Sequence, residues 1–350
     1  MLADLAMRDG WPVAAFDLFG DLDLRQGAGR VVTRGGLTEL VDAAVEMRPG
    51  AVVYGASFEN HPALVARLGE RHALLGNAPE TLRAVRDPRR LGAALRDAGL
   101  LYPRTLAAAA DQPSGRWLRK PLRGGGGTRV HAWRGGALPA GTVLQERVDG
   151  VACSAAAVGN GIDAVVLGLT EQLVGQHAFG VRGYRWCGNV VPPRGPTTAL
   201  LEQARTICSC LASAFALRGL FGVDLVWDGK HAWTIEVNPR PTASLEAMYE
   251  DGLFDAHLRG CEGELPRIRA ERDGAAGKAV LFATEEVVIG DSERWLERGV
   301  RDVPHPGERI AAGRPVCTLL AAAATPEAVL ARLEEQAAQL RAEMGVGAVA

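Results

Sequence analysis

The sequence has no basic excess, no long apolar run and no paired-cysteine motif, and each absence removes a class of protein. Lys and Arg total 39 against 41 Asp and Glu, a formal net charge of -2. No surplus of cations exists to neutralise a nucleic acid or an anionic membrane surface. No apolar stretch approaches the roughly 20 residues of a membrane-spanning helix. The opening MLADLAMRDGW carries acids and lacks an apolar core followed by a cleavage site, so it is not a secretory signal, and a cytoplasmic location is expected. The six cysteines (Cys153, Cys187, Cys208, Cys210, Cys261 and Cys317) contain no C-x-x-C pair and read as reduced, mostly buried thiols. Cys208-x-Cys210 and His257-x₃-Cys261 lie in apolar helical patterns, where small buried residues are expected before metal ligands. Neither GxxxxGK[ST] nor a GxGxxG after a strand is present, which excludes the Walker and dinucleotide-binding patterns. A small molecule is the expected partner.

What is there is an ordinary globular composition, 47% hydrophobic and 23% charged over 350 residues, enough for two or three compact units. The richest stretch is FGVDLVWDGKHAWTIEVNPRPTASLE, Phe221 to Glu246, which reads as a hairpin carrying Asp224, Glu236, Asn238 and Arg240. Glu236 and Asn238 are two apart on a strand and leave by the same face. A carboxylate and a carboxamide side by side suit a hard cation such as Mg²⁺. Pro239 stops the strand and leaves Arg240 free for a phosphate or carboxylate. Asp224 joins them only if parity allows: a two-residue turn at Asp228-Gly229 would put it on the wrong face. A bulge, or a three-residue turn pairing Trp227 with His231 and Asp224 with Thr234, is therefore expected, with Glu236 as the diagonal neighbour of Asp224.

Upstream, strand and helix patterns alternate, which implies a parallel sheet. A strand at Val13 to Leu18 is followed by a Gly-rich loop, a helix at Leu37 to Met47, a strand at Ala51 to Tyr54, a helix from Pro62 to Arg71 and a short strand near Ala73. A helix leading into the strand at Val13 implies an earlier strand, expected to be missing from this chain. Glu59, Asn60 and His61 follow a strand, where open α/β sheets place ligands, although Asn60 also suits a helix cap. Two helices between Pro79 and Gly99 lead to a strand at Arg116 to Pro121 and then to Gly124, Gly125, Gly126, Gly127 and Thr128. Lys120 ends that strand, so backbone N–H groups and one point charge are offered together to phosphate oxygens. The strand Thr142 to Val148 runs through Gln145, Glu146, Arg147 and Val148 to Asp149. Gln172 to Pro193, holding Phe179, Tyr184, Trp186 and Asn189, reads as a recognition loop over a pocket. A helix at Thr198 to Leu217, a strand at Lys278 to Ala283 and a last helix opened by Thr325-Pro326 complete the chain, with a frayed tail from Gly345.

With Lys120 and the glycine loop, the Glu146 strand and Asp224 to Arg240 in this order, the chain resembles the ATP-grasp superfamily over most of its length. The segments DLFGDLDLR, QLVGQHAFGVRGYRWCGNVVPP, EVNPRPTASLE, DVPHPG and GRPVCTLLA are similar to the biotin-carboxylase-related ATP-dependent carboligases found with methanopterin-type one-carbon metabolism. The resemblance implies an ATP-grasp fold, mixed α/β and α+β. Its parts would be an N-terminal parallel-sheet domain at 1–76, a grasp domain of two subdomains at 77–264 and a small C-terminal α+β unit at 265–350. It implies ATP and two Mg²⁺ ions, with Mn²⁺ as the alternative ion. Lys120 would hold the α- and β-phosphates, and Gly124 to Thr128 would fold over them. The backbone of Arg147 and Val148 would meet the adenine edge, with Gln145 or Glu146 reading its amino group. Asp224, Glu236 and Asn238 would hold the metal, and Arg240 would steady the transferred phosphoryl group.

Two positions depart from the family pattern. Asp87-Pro88-Arg89-Arg90 stands where many members have a second nucleotide lysine, and Arg89 or Arg90 is expected to substitute. Ala152 stands where an acid often binds ribose, a role expected to pass to Asp149. The implied chemistry is phosphorylation of a small carboxylate to an acyl phosphate, then attack by an amine or thiol, with a one-carbon cofactor precursor as substrate. Glu59, His61 and Glu246 are candidate bases. A kinase-like or carboxylase-like enzyme and a regulator without turnover are the alternatives. A homodimer is the default assembly.

Overall fold

The computed structural model describes residues 1–48, 50–107, 114–195, 197–248, 251–267 and 273–345, so most of the tail lies outside the described residues. The N-terminal part holds α1 (Leu2–Arg8), β1 (Ala14–Asp17), α2 (Leu22–Gly27), β2 (Arg30–Thr33), α3 (Leu37–Glu46), β3 (Ala51–Val52), α4 (Pro62–Gly69) and β4 (Ala73–Leu74). β1 pairs parallel with β2, and β3 with β4. β2 falls inside the stretch expected to be a Gly-rich loop; its β-branched Val31, Val32 and Thr33 form the strand while the glycines flank it. α3 buries Leu40, Val41, Ala43 and Ala44 at helical spacing, with Val41 and Ala44 packing against Leu68 of α4.

α5 (Pro79–Val85) and α6 (Pro88–Asp97) follow. Asp87 caps α6 by accepting from the Arg89 N–H at 2.8 Å, and Pro88 occupies the first helical position, where no N–H is needed. Next come β5 (Thr105–Leu106), β6 (Trp117–Pro121), β7 (His131–Ala132) and β8 (Thr142–Glu146), an antiparallel sheet in the order β5-β8-β6-β7. The glycine-rich loop joins β6 to β7.

The remaining elements build a seven-stranded antiparallel sheet, a separate two-stranded pair and the helices packed around them. They are β9 (Val151–Asn160), β10 (Ala164–Val174), β11 (Trp186–Val191), α7 (Thr198–Phe215), β12 (Arg218–Trp227), β13 (Ala232–Asn238), α8 (Leu245–Met248), α9 (Leu253–Glu262), β14 (Ala275–Phe282), β15 (Val287–Val288), α10 (Glu293–Glu297), β16 (Arg309–Ile310), β17 (Pro315–Ala323) and α11 (Pro326–Glu343). The strand order of the large sheet is β13-β12-β9-β10-β11-β14-β17, and β15 pairs with β16. Alternation along β9 and β12 sends Ala155, Ala157, Val223 and Leu225 into a core with Ile207 and Leu211 of α7. Ala156, Val158 and Leu220 point the other way, into a core with Phe254 of α9 and Leu5 of α1. Each fully buried Leu, Ile or Phe contributes about 1.5–3 kcal/mol of burial. α11, capped by Thr325 through the Ala328 N–H at 3.2 Å, lays Val329, Leu333 and Leu340 over the β14 end of the sheet.

Residues 172–193 are not an open recognition loop. β10 continues to Val174 and β11 begins at Trp186, Phe179 is fully buried, and Asn189 points inward to the Thr170 hydroxyl at 2.7 Å. The apolar and small residues of the segment let both strands extend; Tyr184 stays near the turn. β14 and β17 continue the sheet through β11, with Gly188 facing Ala279, so the sheet runs unbroken across residue 265.

Candidate functional site

Asp224 and Glu236 stand directly opposite each other on β12 and β13. The parity condition is met, but elsewhere than expected. The turn has four residues, Asp228 to His231, and pairs Trp227 with Ala232; the extra residue is Ile235, bulged between Thr234 and Glu236. Asp228 holds that turn by accepting from the Lys230 and His231 N–H groups at 2.8 and 2.7 Å. Asp224 therefore faces Glu236, not Thr234, and the two carboxylates are closer than the diagonal pair anticipated. Burial first, and then the Glu236 charge, push the Asp224 carboxyl well above the usual carboxylate range. Asn238, on the same face as Glu236, donates to Asp224 at 3.3 Å, and Gln172 of β10 donates to it at 2.9 Å.

Cations ring this pair. Lys120 reaches it from β6 and donates to Gln145 of β8 at 2.9 Å. Burial holds its ammonium below the ordinary lysine range, partly offset by Glu236 and Asp224. Arg240 donates to Glu59 at 3.0 Å and to Asn238 at 3.4 Å. Arg86, at the end of α5, lies 3.5 Å from Glu236 and donates to the Gly124 carbonyl at 3.0 Å. Arg89 and Arg90 are exposed on α6, whereas Arg86, one residue before the capping Asp87, is the arginine beside Glu236. No spacing rule marked Arg86; only its position at the end of a helix aimed at the cleft does so. The cleft is walled by Leu91, Tyr102, Val143 and Val237 between the two sheets, with Lys120 and Glu236 at one side. Two half-buried carboxylates, an amide oxygen and no sulfur ligand fit a hard divalent cation, whose charge would offset the burial and the Glu236 repulsion that raise Asp224.

The other expected site residues divide by strand alternation. Gln145 is buried and faces Lys120, whereas Glu146 is exposed. The Arg147 N–H is committed to the Arg116 carbonyl at 2.8 Å, leaving the Arg147 carbonyl and the Val148 backbone for a ligand. Asp149 is exposed and paired with Arg116 and Arg147. The glycine loop is seated on β11: Gly126 accepts from the Trp186 N–H at 3.0 Å, and a Cβ on Gly127 would lie 1.8 Å from the Tyr184 carbonyl oxygen. Glu59 is buried against Arg240, His61 is exposed, and Glu246 is buried in an ion pair with Lys278. Burial opposes ionisation of Glu246, but Lys278 holds its carboxyl below the usual range, which leaves it a poor base. His257 is structural: its Nδ1 accepts from the Leu220 N–H at 2.9 Å and its Nε2 meets the Leu75 carbonyl at 3.2 Å.

Residues 85–244 match the family model described as the ATP-grasp domain. The chain carries an ATP-grasp domain. Its fold is shared over almost the whole length with solved ATP-grasp structures. The biotin carboxylase domain of the Hydrogenobacter thermophilus 2-oxoglutarate carboxylase, a dimer in complex with MgADP and bicarbonate, superposes with a TM-score of 0.73 at 13% identity, covering 95% of this chain and 85% of that one. The N5-carboxyaminoimidazole ribonucleotide synthetase of Thermus thermophilus gives 0.70 at 19% identity, covering 98% and 95%. Among curated proteins, the formate-dependent phosphoribosylglycinamide formyltransferase of Acinetobacter baumannii is 34% identical over 95 residues, 26% of this chain and 23% of that protein. Its counterpart from Oleidesulfovibrio alaskensis is 35% identical over 94 residues, 26% and 24%. The chain thus matches about a quarter of the length of these relatives. No helix among the described residues is long and apolar enough to cross a membrane.

Proposed function

We propose that this ATP-grasp protein is an ADP-forming ligase that joins a small carboxylate to an amine. The observation that carries the reading is the Asp224–Glu236 pair, facing across the bulge and ringed by Lys120, Arg86 and Arg240 in one cleft. Asp224, Glu236 and Asn238 would hold Mg²⁺, which would shield the phosphate charge and act as a Lewis acid on it. Lys120 neutralises the nucleotide phosphates, with Gly124 to Thr128 as the covering loop, and Gln145, Arg147 and Val148 form the adenine side. Arg86 supplies the second cation, and Arg240 stands where a transferred phosphoryl group would need one.

A carboxylate repels nucleophiles, and phosphorylation removes that obstacle. An oxygen of the substrate carboxylate attacks the γ-phosphorus, the bond to the β,γ-bridging oxygen breaks, and ADP leaves. The amine nitrogen then attacks the acyl carbon, phosphate departs and the nitrogen loses a proton. The chain's contribution is positioning and charge neutralisation. Glu59, paired with Arg240 through Oε1 but with Oε2 buried and without a hydrogen-bond partner among the described residues, is the best-placed candidate to hold the amine or take its proton. His61 is exposed and Glu246 lies between Lys278 and the N-terminal amine. The proposed substrate class, a one-carbon cofactor precursor, rests on the segments similar to one-carbon carboligases; the formate-dependent phosphoribosylglycinamide formyltransferases support the coarser reading of a small carboxylate and an amine. A homodimer is proposed by analogy with the dimeric biotin carboxylase domain.

Screening carboxylates and amines for ADP release tests the reading. ADP is expected only when acid, amine, ATP and Mg²⁺ are all present, and Glu236→Gln is expected to lower that rate by at least ~100-fold. Tight ATP binding with no turnover under any mixture would make the protein a regulator instead, and ADP formed with an acid alone would make it a kinase.

A further inference from the structure

The segment between β3 and α4 touches both walls of the cleft. Phe58 to Asn60 forms a single 3₁₀ turn, entered through Ser57 at φ 79°, the left-handed region that a serine adopts only at a cost. Its last two side chains reach different bodies. Glu59 accepts from Arg240 at 3.0 Å, at the end of a large-sheet strand. Asn60 accepts through one oxygen from the Gly124 N–H at 3.1 Å and from Arg86 Nη2 at 3.2 Å. Because Arg86 Nη2 also donates to the Gly124 carbonyl at 3.0 Å, the first glycine of the loop is held at both its N–H and its C=O. Gly124 has φ 157°, and Gly126 and Gly127 have φ 60° and 66°, so the loop has wide conformational freedom once that grip is released.

We propose that Asn60 is a positioning residue that latches the glycine-rich loop onto the N-terminal α/β unit. The Asn60 oxygen orders both Arg86 and Gly124, and Arg86 extends the connection to Glu236 in the metal wall. Closure of the loop is therefore set by a residue outside the two sheets that form the cleft. In the ligase reading, on which the consequence but not the latch rests, a shut loop keeps water from the acyl phosphate until the amine arrives. The bulge at Ile235 and the turn at Ser57 thus serve one cleft from two domains: the first aligns the carboxylates, the second holds the cover.

Trypsin tests this without knowledge of the substrate. Arg123 and Arg129 are exposed and flank the glycines, and Arg309 is exposed on remote β16. In Asn60→Ala, cleavage after Arg123 and Arg129, followed by mass spectrometry, is expected to be roughly tenfold faster than in the wild type, the order of effect of losing the two hydrogen bonds that Asn60 accepts in the closed state. Cleavage after Arg309 is expected to be unchanged. Asn60→Asp keeps an acceptor oxygen and is expected to stay within about twofold of wild type. Equal rates in wild type and Asn60→Ala, Asp behaving like Ala, or parallel acceleration at Arg309 would each overturn the latch. Added MgATP is expected to slow cleavage at Arg123 and Arg129 in all three proteins. If it slows none of them while Asn60→Ala still opens the loop, the nucleotide reading fails and the latch stands.

Discussion

Asp224 destabilises the fold at the place where it is needed. Its carboxyl, raised by burial and by Glu236, resists ionisation, so the metal-free protein loses stability as pH rises from the unfolded-state value of 3.8 through the higher folded-state value. Asp224→Asn cannot ionise. Its metal-free form is expected to be about 1–3 kcal/mol more stable than wild type at pH 8, with no gap at pH 4. Thermal unfolding checks this, and Mn²⁺ titration by calorimetry is expected to show binding lost; a wild type that gains stability over asparagine with rising pH would contradict it. His257 works in the opposite direction. Burial depresses its pKa from 6.5 to about 4, and its Nδ1 must stay unprotonated to accept from Leu220. Stability is whole above pH 6.5 and is lost as pH falls toward 4, by at most about 3 kcal/mol. Urea midpoints between pH 7 and 4.5 should show that slope in the wild type and a shallower one in His257→Gln.

At the scale of elements, the glycine-rich loop is defined by where it sits and not by its composition. Gly125 has no heavy atom within 4 Å of an added Cβ and no positive φ, whereas Gly127 combines φ 66° with the Tyr184 carbonyl 1.8 Å away. Gly125→Ala is expected to leave nucleotide affinity within about twofold. Gly127→Ala must unseat the loop from β11 and is expected to weaken ATP binding by roughly tenfold or more, measured by equilibrium titration. The run of four glycines made the loop visible in the sequence, but nothing in it ranks one glycine above another. The β12–β13 hairpin shows the same limit. Period-two alternation placed Glu236 and Asn238 on one face and demanded a parity correction. Whether a turn or a bulge supplied it depended on Asp228 closing a four-residue turn, a side-chain preference too local to choose between registers.

For the whole molecule, continuity of the large sheet is the main constraint. The core that contains Leu173, Phe179 and Val190 is completed by Ala279, Leu281, Leu319, Val329 and Leu333, all beyond residue 265. A fragment ending at residue 264 would leave the β11 edge unpaired and that core open. It is expected to be insoluble or unfolded by circular dichroism, whereas a C-terminal unit that merely docks would leave a folded fragment. Division into 1–76, 77–264 and 265–350 followed the motif order, and motif order does not report which strands pair at long range.

The residue kinds of the candidate site were legible in the chain itself. Lys120 before the glycines, and the Asp224, Glu236, Asn238 and Arg240 series, stand out because their chemistry needs those types at short, regular spacings. Hydrophobic periodicity likewise determined most helices and strands, from α3 to the capped α11. Tertiary structure decided which of these groups meet. It placed Arg86 beside Glu236 and left Arg89 and Arg90 exposed, turned Gln145 inward and Glu146 out, locked Glu246 to Lys278, and brought Asn60 to Gly124, 64 positions away. Those outcomes depend on the relative placement of separate elements, which is set by core packing spread over many residues and leaves no local mark in the sequence.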